Sequence, residues 1–331
     1  MEIRAMAAHE RGGPLSPFRY DAGALGDHEV LVKVIACGLC ASDISMMSRA
    51  PRLPMVPGHE VVGEVLEAGR AVRRLKAGDR VGVGWQSGAC LECHDCLVGR
   101  ENLCDQSEAL IMHAYGGFAD HLKVDARFAF ALPGGLAAKH AGPLMCAGAT
   151  VYAALRHAGM TSGRRVGVVG VGGLGHLAIQ YASKLSNHVV AFTGSHDKAE
   201  FAARLGAREA VVVPRGGAVP GQGRKLDVIL VTSSETLDWG SYLNQLDADG
   251  TIVTVALPHE PMAIPAIPLV LKRRRLMASL IGSRAEVAEA VELADRLGVE
   301  PIVETFALAE ANEAVRRVKA NEVRYRAVLE V

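Results

Sequence analysis

The sequence predicts an α/β protein of two domains, one made mainly of short strands and the other of a doubly wound parallel sheet. Three observations carry this. The chain has 331 residues, and at roughly 150 residues per domain that length suits about two. Apolar residues make up 50% and charged ones 22%, which supplies two cores and excludes disorder as the main state. The texture also changes near residue 150, from strands punctuated by turns to strands alternating with helices.

In the first part, Glu29–Ala36 alternates loosely, Val61–Gly69 reads as a strand, and Ala77-Gly-Asp-Arg-Val-Gly-Val83 is a turn into a third; helical periodicity is scarce there. In the second, Arg165–Gly170 is a buried strand, Leu174–Leu185 a helix and Val189–Thr193 a strand. Lys198–Leu205 is a helix stopped by Gly206, and Asp227–Val231 and Gly250–Ala256 are strands around a helix at Trp239–Leu246. Helices at Arg284–Leu297 and Glu310–Ala320 and a strand at Arg326–Val331 complete the chain.

Lys+Arg and Asp+Glu number 36 each, so the formal net charge is zero. Nothing global draws such a chain to nucleic acid or to an anionic membrane. Val166–Ser183 carries no Asp, Glu, Lys or Arg, long enough to suggest a membrane span. Its five glycines, with His176 and Gln180 following, fit a buried strand, turn and helix instead. With no secretory signal in its opening residues, the chain reads as soluble and cytoplasmic. The run Lys272-Arg-Arg-Arg275 reads as a solvated rim.

Cys90, Cys93, Cys96 and Cys104 lie within 15 residues, too close together for disulfides and spaced for a metal. Zinc takes four tetrahedral ligands, and four thiolates leave no position for water, so this zinc is structural, held in a lobe at about 88–106. His94 reads as a bystander.

Gly170-Val-Gly172-Gly173-Leu174-Gly175 follows a strand and opens a helix, the context that makes a glycine-rich turn a dinucleotide site. Gly170 allows the tight turn, Gly172 lets backbone approach the diphosphate, and Gly175 lets helix and strand pack closely. The helix N-terminus favours the anion. An NAD site usually has an acid about 20 residues on. Thr193 stands there, with Ser195 and Lys198 after it. Hydroxyls and a cation suit a 2′-phosphate, so the sequence favours NADP(H). Asp197 reads as helix-start decoration.

Three further segments hold Cys40 with Ser42 and Asp43, His59 with Glu60, and Cys146 with Thr150. Together Cys40, His59 and Cys146 make a Cys₂His set with one position open, as catalytic zinc requires. With these motifs the chain resembles a zinc-dependent medium-chain dehydrogenase/reductase of the alcohol dehydrogenase superfamily, from end to end, in its cinnamyl-alcohol-dehydrogenase-like branch and near the bacterial NADPH-dependent aldehyde reductases.

The resemblance implies a GroES-like, mainly-β catalytic domain from 1–149 and 284–331, and an inserted Rossmann domain at 150–283. It implies two zinc ions per chain and NADP(H), with Cys40, His59 and Cys146 on the catalytic zinc. Asp43 would orient the histidine, Glu60 approach the metal during ligand exchange, and Ser42 pass the substrate proton. Arg326 would contact a cofactor phosphate, Thr150 lie beside the nicotinamide, and Trp85 wall the pocket. The implied reaction is reversible reduction of an aldehyde to a primary alcohol by NADPH, in a homodimer or homotetramer. Two departures stand out. Ala41 follows the first ligand where His or Arg is common, and Ser45 stands where many members have a proton-relay His. Cys37 matches no ligand position and reads as a buried thiol. The alternatives are an NAD-linked alcohol, polyol or formaldehyde dehydrogenase, and a cofactor-binding relative without turnover.

Overall fold

Val30, Val32 and Val34 alternate with more exposed neighbours, and the segment forms the strand Glu29–Leu39 with those valines buried. The structure is a computed structural model that describes every residue except Gln222 and His259. It divides into two compact units, Met1–Cys146 with Ser283–Asp295 and Pro301–Val331, and Ala147–Gly282 with Arg296–Glu300.

The first unit is built on a seven-stranded sheet. Its order is Val303–Ala307, Arg326–Glu330, Glu29–Leu39, Glu60–Ala68, Arg80–Val83 and Ala129–Ala131, with His121–Asp125 also pairing with the Glu29 strand. Only the first pair is parallel. The last strand of the chain therefore lies against a strand near its beginning, Ala327 opposite Leu39. Ile3, Val32, Val61, Val81, Phe118 and Leu329 share one core. The hairpin Glu2–Ala8 with Leu15–Asp21 has no counterpart in the sequence reading.

Helix is also more frequent in the first 157 residues than the sequence suggests. Ala41–Ser48 is helical, and Ala138–Pro143 runs through a π-turn at Leu144–Gly148 into Ala149–His157. Nearly every residue from Ala141 to Leu155 is buried, so this helix has no polar face to give it a period.

The second unit holds a six-stranded, wholly parallel sheet. Its order is Glu209–Val212, His188–Thr193, Arg165–Val169, Leu226–Val231, Leu246–Thr254, Arg275–Ala278. This is the Rossmann order 3-2-1-4-5-6, and the direction of winding switches between the Arg165 and Leu226 strands. Val190, Phe192, Ile229, Trp239 and Ile252 lie in its core. The two edge strands escaped the sequence reading because they are only half buried and lack a continuous apolar run.

The uncharged stretch Val166–Ser183 is the strand, glycine turn and helix expected of it. No helix among the described residues is long and apolar enough to cross a membrane. The basic run is the solvated rim expected of it, with Lys272, Arg273 and Arg275 exposed and Arg274 half-buried, and its arginines are bonded as well. Arg273 bonds Asp249 at 2.7 Å, Arg274 reaches the Leu246 carbonyl at 2.5 Å, and Arg275 reaches the Asp249 carbonyl at 3.0 Å.

Gly170 has φ +93°, and a Cβ on Gly175 would lie 1.8 Å from the Gly170 carbonyl oxygen, whereas one on Gly172 would meet nothing within 4 Å. Gly175→Ala is expected to lose about 1–3 kcal/mol in urea unfolding, as overpacked sites do. Gly172→Ala should stay within about 0.5 kcal/mol. Equal stability of the two variants would refute the close-packing role of Gly175.

Candidate functional site

The register of the first unit's sheet sets its polar centre. The Glu29 strand delivers Cys40 to the N-cap of the helix Ala41–Ser48. In the neighbouring strand Glu60 stands opposite Gly38, where a Cβ would meet Glu60 Oε2 at 2.0 Å. Only glycine leaves room for this carboxylate. Cys146 arrives on the π-turn, whose extra residue per turn re-aims a side chain. Ligand atoms of Cys40, His59, Glu60 and Cys146 all lie within 4.8 Å of one another.

Asp43, fully buried, organises this set. It accepts the Cys40 amide at 2.9 Å, the Gly58 amide at 2.8 Å and His59 Nδ1 at 2.8 Å. A carboxylate there fixes the proton on Nδ1 and turns Nε2 toward the cysteines. His59 Nε2 is buried with no hydrogen-bond partner, as an imidazole ready for a metal should be.

Burial works against a charged His59, yet the adjacent Asp43 and Cys40 hold it well above its ordinary pKa. Hydrogen bonding from Cys146 draws Cys40 well below the usual thiol range, and Cys146 is pushed well above it. A divalent cation would replace these protons, since ligation needs thiolate and neutral imidazole. Burial raises Glu60 to about 7 although Arg326 opposes it. Arg326, 6% exposed, donates to Glu60 Oε1. The structure thus brings Arg326, expected at a cofactor phosphate, to the Cys–His cluster.

The rings of Trp85 and His59 meet in a T-shaped contact with centroids 5.0 Å apart. Ser42 and Ser45 are half-buried and three apart on one helix, hence neighbours on one face. Cys37 is buried and bonds the Gly38 carbonyl at 3.5 Å, with its pKa pushed well up by burial.

The sulfur atoms of Cys90, Cys93, Cys96 and Cys104 also lie within 4.8 Å of one another. Cys90 is 3.9 Å from Cys96 and 3.5 Å from Cys104, close to the edge of about 3.8 Å of a tetrahedron with 2.3 Å zinc–sulfur bonds. Amides of Glu92 and Cys93 pull Cys90 down to about 6, and burial pushes Cys96 up to about 12. His94 is exposed and outside the set. One support went unseen in the sequence. Glu101, 5% exposed, binds Arg284 at 2.6 Å, and Gln86 holds the Glu101 carbonyl at 2.8 Å. Arg284 lies 183 residues away, beyond any local pattern.

In the second unit a cavity opens at the carboxyl ends of the Arg165, His188 and Leu226 strands, lined by Gly170, Thr193, Lys198 and Ser233 among others. Thr232 Oγ1 pins the glycine turn through the carbonyls of Val169 and Gly170, at 2.9 and 3.1 Å. Gly173 and Leu174 lie at the entry to the helix Gly175–Lys184. Thr193 is buried at the end of its strand. Ser195 caps the next helix, and its Oγ is buried with no partner. Asp197 is exposed in that helix's first turn. Thr150 is buried in the helix Ala149–His157. Arg215 and Glu235 also line the cavity and were not foreseen.

Residues 26–134 match the alcohol dehydrogenase GroES-like domain, and residues 173–317 match the zinc-binding dehydrogenase family. The chain is 39% identical to the aldehyde reductase AdhA of Synechocystis sp., covering 99% of this chain and 98% of that protein. It is 36% identical to NADP-dependent alcohol dehydrogenase C 1 of Mycolicibacterium smegmatis, over 99% and 97% of the two chains. Among solved structures, a cinnamyl alcohol dehydrogenase of Sorghum bicolor superposes with TM-score 0.90 at 32% identity, covering 100% and 98%. The Helicobacter pylori CAD complexed with NADP(H) gives 0.91 at 26%, with the same coverage. A GroES-like part, a Rossmann part and end-to-end identity of this degree lead to one conclusion: the chain belongs to the zinc-binding alcohol dehydrogenase family of oxidoreductases.

Proposed function

We propose that the protein is an NADPH-dependent aldehyde reductase that interconverts aldehydes and primary alcohols, with catalytic zinc on Cys40, His59 and Cys146 and structural zinc on Cys90, Cys93, Cys96 and Cys104. The observation that carries this reading is the buried His59 Nε2, unpartnered and facing two thiols. A cofactor-binding relative without turnover needs no such open metal position. When bound, zinc supplies a Lewis acid for the substrate oxygen and NADPH supplies the hydride. The chain's own groups do the rest. Asp43 holds the His59 proton on Nδ1 and keeps the ring correctly turned, with Nε2 toward the metal position. Arg326 holds Glu60 beside the ligands. Ser42 hands its hydroxyl proton to the substrate oxygen, with Ser45 as the next group on the same helix face. Trp85 walls the pocket.

Thr193, Ser195 and Lys198 take the 2′-phosphate in this reading, and the orphaned Ser195 hydroxyl has an acceptor waiting for it. The absence of an acid at position 193 speaks against the NAD-linked alternative. Gly170, Gly172, Gly173, Leu174 and Gly175 cradle the diphosphate, and Thr150 neighbours the nicotinamide. Residues 1–149 and 284–331 are then the catalytic domain and 150–283 the cofactor domain. Thiols serving as ligands suit the reducing cytoplasm. Exposed Ile267, Val270 and Leu271, each above 70%, precede the edge strand Arg275–Ala278 and fit a homodimer or homotetramer joined there.

Three measurements test the reading. Elemental analysis should give two zinc ions per chain; Cys40→Ala should abolish activity and keep the fold, while Cys93→Ala should lower thermal stability. A single zinc with full activity would end the two-site assignment. Thr193→Asp should weaken NADP+ binding by about 2 kcal/mol, and a parent with equal kcat/KM for NADPH and NADH would refute the cofactor choice. Ser42→Ala should lower kcat by roughly 10²–10⁴-fold, whereas Ser42→Thr keeps much of the rate. A parental rate for Ser42→Ala would mean that water delivers the proton.

A further inference from the structure

The cavity that takes the adenosine end of the cofactor in the reading above is lined by three charged side chains, Lys198, Arg215 and Glu235. Lys198 lies on the helix His196–Arg204, after the strand that ends in Thr193. Arg215 follows the edge strand Glu209–Val212, and Glu235 follows Leu226–Val231. Two strands separate those in the sheet, so their ends are about 14 Å apart at ordinary spacing. Yet Arg215 Nε and Glu235 Oε2 form an ion pair. The pair therefore bridges the crevice above the His188 and Arg165 strands, two of the three whose carboxyl ends form the cavity.

Both arms are anchored. The Val213 amide donates to the Thr193 carbonyl at 2.8 Å, tying the Arg215 segment to the residue expected at the 2′-phosphate. Gly217 N–H then closes a turn on the Pro214 carbonyl at 2.8 Å, with Gly216 at φ +68°, which leaves Arg215 at the tip of a type II turn. The Glu235 amide donates to Ser233 Oγ at 3.3 Å. The side chains, by contrast, are open to solvent, Arg215 at 82% and Glu235 at 48%. An exposed pair of this kind adds little to stability and opens cheaply. A phosphate monoester carries nearly two negative charges. Lys198 supplies one positive charge; a guanidinium supplies a second and can bind two oxygens at once.

We propose that Arg215 is a specificity residue for the 2′-phosphate, parked on Glu235 across the cavity mouth and passed to the phosphate when NADP(H) enters. Glu235 is the resting partner and swings out to solvent. This rests on assigning the cavity to the adenosine 2′-phosphate, and the binding experiment separates the two claims.

Calorimetric Kd values for NADP+ and NAD+ on the parent, Arg215→Ala, Arg215→Lys and Glu235→Gln provide the test. Arg215→Ala should weaken NADP+ by about tenfold and leave NAD+ within about twofold, as expected for losing a hydrogen bond to a charged group. Arg215→Lys should recover part of the loss. Glu235→Gln should tighten NADP+ by about threefold, because the competing partner is gone. An Arg215→Ala protein that keeps the parent's preference for NADP+ overturns the proposal alone. So does a Glu235→Gln protein with unchanged NADP+ affinity. Weaker NAD+ binding by Glu235→Gln would instead make the carboxylate a ribose ligand, and the proposal would fall. A parent that binds both cofactors equally removes the 2′-phosphate from the cavity and takes both claims with it.

Discussion

A single buried carboxylate holds the reactive centre together. Asp43 is fully buried, and a carboxylate taken out of water costs several kcal/mol unless it is well bonded. Its three N–H donors come from Cys40, Gly58 and His59. Two of those residues offer ligand atoms, and the third precedes one. The satisfaction of one charge thus fixes the helix start, the strand entry and the imidazole together. In the proposed reading a cation entering the site finds its ligands already gathered, and the ordering entropy has been spent in folding.

The second constraint is the neighbouring pair of Glu60 and Arg326, both at or below 7% exposure. Its members come from opposite ends of the chain and meet because Arg326–Glu330 pairs with the Glu29 strand, which pairs in turn with the Glu60 strand. Arg326 carries a positive charge toward two thiols and a carboxyl, which offsets part of the negative charge they gain on ligation. The C-terminal strand is therefore part of the site as well as of the sheet.

What could be read from sequence followed locality. The cysteine lobe and the glycine turn each fit within a short segment whose spacing states the chemistry. Cys40 and Cys146 stand far apart, and each alone is an ordinary small apolar residue; family resemblance, more than spacing, brought them together with His59. The edge strands Glu209–Val212 and Arg275–Ala278 went unread because half-exposed strands carry a weak period. The π-turn at Cys146 had only Pro143 as a local hint. The arginines of Lys272–Arg275 are the exposed rim expected of them, but their partners at Leu246 and Asp249 lie 24 to 28 residues away and leave no trace in a sequence. The Arg215–Glu235 contact needs the strand order before it can be seen at all.

The pairing of Gly38 with Glu60 has a consequence for how such a chain can diverge. A one-residue slip between these antiparallel strands would set Cys37 or Leu39 against the carboxylate, where the side chain has no space, and would turn each buried residue outward. The pairing absorbs irregularities farther along, at Leu31/Val32 and Val34/Ala36, but deletions and insertions beside Gly38 or Glu60 are closed to a lineage that keeps this centre. Between the helix Ala41–Ser48 and Pro57, Met55 pairs with Ala8, and Ala50, Met55 and Val56 are buried, so only the exposed Pro51, Arg52 and Leu53 are free of such a register. Length variation is steered into those three residues, a short exposed tip between two fixed segments.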